Sequence, residues 1–125
     1  MTKNVLDIGN CDPDHATLKS FLASRFDANV IRAHTQKDAL ETLATTEISL
    51  ILINRKLDID YTDGTEILKY LKADAQYKDI PVMIITNYAE HQELAVSLGA
   101  ELGFGKLQYG ESTTRDRLSR FLDPK

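Results

Sequence analysis

Short apolar runs alternate five times with stretches of helical period along this chain, and that alternation constrains its fold more than any other feature. The runs are NVLDIG (4–9), NVIRA (29–33), ISLILI (48–53), VMIIT (82–86) after Pro81, and ELGFGK (101–106). The segment DPDHATLKSFLASRF (12–26) opens with Asp12 as a helix cap and Pro13 at the first helical position, with Leu18, Phe21, Leu22 and Phe26 at helical spacing. TQKDALETLATT (35–46) carries Thr35 as cap and Leu40, Leu43 and Ala44 on one face. DGTEILKYLKAD (63–74) carries Asp63 as cap and Ile67, Leu68 and Leu71 inward. AEHQELAVSLGA (89–100) is ended by Gly99, and STTRDRLSRFL (112–122) turns Leu118, Phe121 and Leu122 inward. Five strand–helix units with right-handed crossovers require a parallel sheet with helices on both faces. The third run, apolar almost throughout, suits a central strand covered on both sides. Asp7 is an awkward residue for such a strand.

In sheets of this kind function sits outside the carboxyl ends of the strands. Those ends are Asn10-Cys11, Asn54, Thr86-Asn87 and Lys106. The 125 residues suffice for one core, and a net charge of −4 with dispersed basic residues argues against nucleic acid. A single cysteine forms no internal disulfide, which fits a reducing compartment; with no apolar N-terminal run, a cytoplasmic protein without membrane contact is expected.

With CDP entering the first helix, DG opening the third, PVMIIT ending in threonine and GAELGFGK ending in lysine, the chain resembles the receiver domains of two-component response regulators. The resemblance spans essentially the whole chain. It implies a flavodoxin-like (βα)5 fold of three α/β/α layers, strand order 2-1-3-4-5, and one receiver-like domain over 1–125 without an output domain. In active members two acidic residues after the first strand hold Mg²⁺, an aspartate ending the third accepts a phosphoryl group, and a threonine and a lysine contact its oxygens. By motif the acidic pair falls on Asn10 and Cys11, the acceptor on Asn54, and the phosphoryl contacts on Thr86 and Lys106. Asn87 stands where the family has a small residue, Leu107 where it has proline, and the loop RKLDIDYTDG lacks the usual proline.

An amide is neutral and a poor nucleophile toward phosphorus, and Mg²⁺ needs carboxylates or substrate phosphate rather than a thiol. The resemblance therefore points to an atypical receiver that is not phosphorylated and takes no cofactor. Asp12 reads as the helix cap, with a residual metal ligand as the other reading. Lys106 is expected to donate to the Asn54 side chain or to pair with Asp12, and Thr86 to cap the following helix or to contact an anion. Cys11 has no partner at metal-ligand spacing. His15, His34 and His91 form no motif and read as surface residues, as do Asp58 and Asp60.

The favoured function is a signalling or adaptor module that works through protein contacts, the partner being a signalling protein or a component of a histidine-kinase pathway. The resemblance places its partner or homodimer face on the fourth helix, fifth strand and fifth helix, where Tyr88, Glu90, Gln92, Tyr109, Arg115 and Arg120 fall. The alternatives are a working phosphotransfer receiver using Asp12 or Asp58, and an anion or small-molecule binder using Thr86 and Lys106. No nucleophile–base arrangement marks another enzyme.

Overall fold

The computed structural model describes residues 2–125; of the expected domain, Met1 lies outside the described residues. The elements are β1 (Lys3–Ile8), α1 (Asp12–Arg25), β2 (Ala28–Ala33), α2 (Gln36–Thr45), β3 (Leu50–Asn54), α3 (Gly64–Ala73), β4 (Val82–Ile85), α4 (Ala89–Ser97) and α5 (Ser112–Ser119). The strands are all parallel in the order β2-β1-β3-β4.

Side-chain alternation along the strands divides the core in two. Leu6, Ile8, Ile51, Ile53, Val82 and Ile84 pack on one face against Ala39 and Leu43 of α2, Ile67, Leu68 and Leu71 of α3, and Ala95 of α4. Val5, Leu50, Leu52, Met83 and Ile85 pack on the other against Leu18 and Leu22 of α1 and Leu118 of α5, closed by Phe104. Helices thus cover both faces, and this is the doubly wound α/β arrangement. On α2 the inward residues are Ala39 and Leu43, with Leu40 half-buried; Ala44, expected on that face, is exposed.

The fifth apolar run does not become a strand. It contributes one parallel bridge, Ile85 to Phe104, with the Thr86 amide donating to Phe104 O at 3.1 Å. The reason is local. Gly103 and Gly105 flank Phe104 and weaken any ladder. Both backbone groups of Gly103 are taken by side chains: its N–H donates to Gln92 Oε1 (2.9 Å), and Arg117 Nη1 donates to its carbonyl (2.6 Å).

Caps fix where the helices start. Thr35 and Asp38 form a reciprocal capping box on α2, and Asp63 Oδ1 accepts from the Thr65 amide at 2.9 Å to begin α3. Gly64 must be glycine for a steric reason: a Cβ there would collide with the carbonyl oxygen of Asn54. The start of α3 is thereby pressed against the end of β3, where the candidate site lies.

Candidate functional site

Asn54 is half-buried at the end of β3, and its amide is used as a donor. Nδ2 donates to Lys56 O at 2.7 Å and to Gly9 O at 3.3 Å. Gly9 itself has a left-handed φ of 84°. Because both partners are carbonyl oxygens, a carboxylate at 54 would place acceptors against acceptors. The amide ties the turn after β1 to the loop after β3.

Lys106 does not reach Asn54 or Asp12, as the sequence suggested. Its Nζ lies 2.7 Å from Asp14 Oδ2 in the first turn of α1. The same oxygen accepts from Cys11 Sγ at 3.2 Å. The Lys106 hydrogen bond, opposed by burial and aided by the Cys11 thiol, holds the Asp14 carboxyl below its usual range. Cys11, not Asp12, occupies the N-cap position of α1, and its side chain makes no capping bond. Asp12 sits in the first turn, largely exposed, with Oδ1 2.7 Å from Arg32 Nη2.

Asn10 is buried and donates through Nδ2 to Asp7 Oδ1. Asp7 is completely buried, and His15 Nδ1 lies 2.7 Å from its other oxygen. The placement follows from strand alternation: Asp7 shares a face with Val5, and that face is covered by α1, whose first turns carry His15. Arg32 stands beside Asp7 in register on β2 and donates to Asn10 O at 3.0 Å. His15 is therefore a partner of a buried carboxylate rather than a surface residue.

On the far side of Asn54, Thr86 Oγ1 accepts from the Tyr88 amide (3.3 Å) and shares a 3.2 Å hydrogen bond with His91 Nδ1. The hydroxyl braces the turn into α4. Asn87 Oδ1 accepts from the Leu107 amide at 3.0 Å and so holds the segment that carries Lys106.

A hard divalent cation takes oxygen donors, carboxylates foremost. Here Asp7 is bonded to Asn10 and His15, Asp14 to Lys106 and Cys11, and Asp12 to Arg32. Among the described residues no three His, Cys, Asp or Glu side chains are grouped to hold a metal ion. Asp58 is exposed in the loop after β3, with its amide bonded to Gly9 O at 2.9 Å.

The residues expected on a partner face divide. Tyr88, Glu90, Arg115 and Arg120 are exposed. Gln92 is buried, and its carboxamide bonds Ile84 O (2.9 Å), Thr86 O (3.2 Å) and Gly103 N. Tyr109 is half-buried and stacks on Phe21 at 4.8 Å between ring centroids. Burial, with the Asp7 and Asp14 charges nearby, pushes its phenol up to about 12.

Sequence reasoning missed Asp7, Asp14, His15 and His91 as members of the crevice. A signal existed for three of them. Asp14 and His15 lie within the first turns of a helix that begins at the crevice, and His91 lies one turn into the helix that follows Thr86.

Among the described residues no helix is long and apolar enough to cross a membrane. No protein-family model matches the chain, and no curated protein is significantly similar to it in sequence. Solved structures are similar in fold. A sensor protein from Polaromonas sp. JS666 has a TM-score of 0.77 at 21% identity, covering 95% of this chain and 94% of its own. A response regulator receiver protein from Pseudomonas putida has a TM-score of 0.75 at 13% identity, covering 96% and 98%. A putative response regulator from Chloroflexus aurantiacus J-10-fl has a TM-score of 0.74 at 15% identity, covering 96% and 100%. The fold of this chain is that of response-regulator receiver domains.

Proposed function

We propose that this protein is a receiver-like signalling module that is not phosphorylated, has no enzymatic activity, needs no Mg²⁺, and acts through protein contacts. The observation that carries the proposal is the Asn54 amide donating to Gly9 O and Lys56 O. It fills the acceptor position with a group that has no nucleophilic oxyanion and is engaged in holding two loops together. The Lys106–Asp14 pair and the Asp7–Asn10–His15 group support the same reading, since each leaves its charge answered within the chain.

The partner surface of this reading is formed by α4, the 101–106 segment and α5. Tyr88, Glu90, Arg115 and Arg120 contribute to it, and Gln92 and Tyr109 support it from beneath. The partner is a protein of a two-component pathway or a second copy of the chain.

The test is a backbone amide NMR spectrum with and without Mg²⁺ plus beryllofluoride, a mimic of the acyl phosphate. The expected result is no saturable shift at Asn10, Asn54, Thr86 or Lys106. Saturable shifts at those amides would mean that the crevice still takes a phosphoryl group and would overturn the proposal.

A further inference from the structure

The cleft beside Asn54 holds more positive charge than its surroundings answer. It encloses about 320 Å³, and its walls include Arg55, Lys56, Ile85, Tyr88, His91 and Lys106. Three of these are cations, and among the described residues no acidic side chain lines the cleft. Asp63 and Asp14 answer Arg55 and Lys106 from outside it. Lys56 makes no ion pair of its own among the described residues and shares the Asp63 charge with Arg55. A concave site with a low-dielectric wall focuses such a field on whatever enters.

Size and shape narrow the occupant. The cleft is open to solvent and has room for more than an isolated phosphate. Tyr88 is 62% exposed and stands edge-on to His91 with ring centroids 5.4 Å apart. Those two rings and Ile85 offer apolar surface next to the cations. We propose that this cleft binds a small organic anion in which a carboxylate or phosphate group is carried on a single planar ring. The charged group meets Lys56, and the ring lies against Tyr88. The proposal rests on the reading that the crevice no longer carries out phosphoryl transfer.

The experiment is a titration of the full isotope-labelled chain, without Mg²⁺ or beryllofluoride, followed by amide NMR. Benzoate and phenyl phosphate supply ring and charge together; acetate, inorganic phosphate and phenol supply one without the other. The expected result is saturable shifts at Asn54, Arg55, Tyr88 and His91 with at least one aromatic anion. Each single-feature probe should bind roughly tenfold more weakly. Lys56→Glu should weaken the aromatic anion by roughly tenfold, because it reverses a charge facing the ligand. Tyr88→Ala should weaken it as well. Both side chains are exposed, so neither variant threatens the fold. No saturable shift with either aromatic anion, unchanged affinity in Lys56→Glu, or inorganic phosphate binding as tightly as phenyl phosphate would overturn the proposal. A response to beryllofluoride with Mg²⁺ would instead overturn the function above, and the two failures are read in separate samples.

Discussion

Lys106 Nζ stands 2.7 Å from Asp14 Oδ2, so a cation that follows the 101–105 segment is bound to the first turn of α1 rather than to the end of β3. Both side chains are about one-third exposed, 31% and 38%. Solvent screening therefore keeps the pair among weak surface ion pairs, and Asp14→Asn should cost less than about 1 kcal/mol at neutral pH. The sign with pH is fixed by the direction of the shift. Asp14 is held below 3.8 in the folded state, so its contribution is present at neutral pH and is lost as pH falls through the folded value. Urea unfolding of both forms should show a gap at pH 7 that closes in acid, as pH falls below the folded value. A gap that persists in acid would mean that the carboxylate's charge is not what stabilises.

Asn54→Asp should not turn this chain into a working acceptor. The new carboxylate would face Gly9 O and Lys56 O, both of which now accept from Nδ2. Losing those bonds should cost about 1 kcal/mol, partly offset by the nearby cations. The oxygens at Asp7 and Asp14 would still be engaged elsewhere. Incubation with acetyl phosphate and Mg²⁺ should leave the intact mass unchanged. A stable phosphoryl adduct would show that the amide at 54 is the sole obstacle.

Gln92 joins three elements through one side chain. Its carboxamide donates to the carbonyls of Ile84 and Thr86 and accepts from Gly103 N. Gln92→Ala should destabilise the fold by about 2–3 kcal/mol, because buried backbone groups lose their partners. Gln92→Glu should be of similar severity, since a carboxylate cannot donate to two carbonyls. Hydrogen exchange at Gly103 N–H is the local readout. Protection unchanged in Gln92→Ala would contradict this role.

The legible parts of the sequence were those governed by local rules. Thr35 and Asp63 cap the helices they announce, and the Leu50–Ile53 run is wholly buried. The illegible parts depend on contacts between distant elements. Asp7 looks unsuitable for a central strand until His15 and Asn10 are seen to meet it. The 101–106 run suggested a fifth strand, yet its glycines weaken a ladder and side chains from α4 and α5 took the backbone groups of Gly103. Gln92 was misplaced on a surface although it precedes the buried Ala95 at the i,i+3 spacing of one helix face. Its polarity outweighed its position. The crevice positions Asn54, Thr86 and Lys106 were found from strand ends, but Lys106 takes its partner from across the chain.

Gly64→Ala should be among the most damaging small substitutions. The added methyl would meet Asn54 O and the Ile53 side chain. Backbone does not yield as a flexible side chain does, so a loss of about 2–3 kcal/mol is expected. Thermal unfolding measures it. The amide signals of Asn54 and Lys56 should shift as well, because the start of α3 presses on the loop they hold. A variant as stable as the parent would show that α3 can move away from β3 freely.

Tyr109 supplies a test of the aromatic layer between α1 and the segment before α5. Burial beside Phe21 and Phe104, with Asp7 and Asp14 adding negative charge nearby, raises its phenol from 10.0 to about 12. A raised value means that the folded state holds the proton more tightly than the unfolded chain does. The stabilisation is therefore complete below pH 10 and declines as pH rises toward about 12. In an ultraviolet titration of phenolate, one tyrosine should ionise late, and unfolding should begin in the same alkaline range. Tyr109→Phe removes the late component while retaining the stack, so its stability should be less sensitive to pH in that window. A parent chain whose tyrosines all ionise together near pH 10, still folded, would show that the Tyr109 hydroxyl is in open solvent.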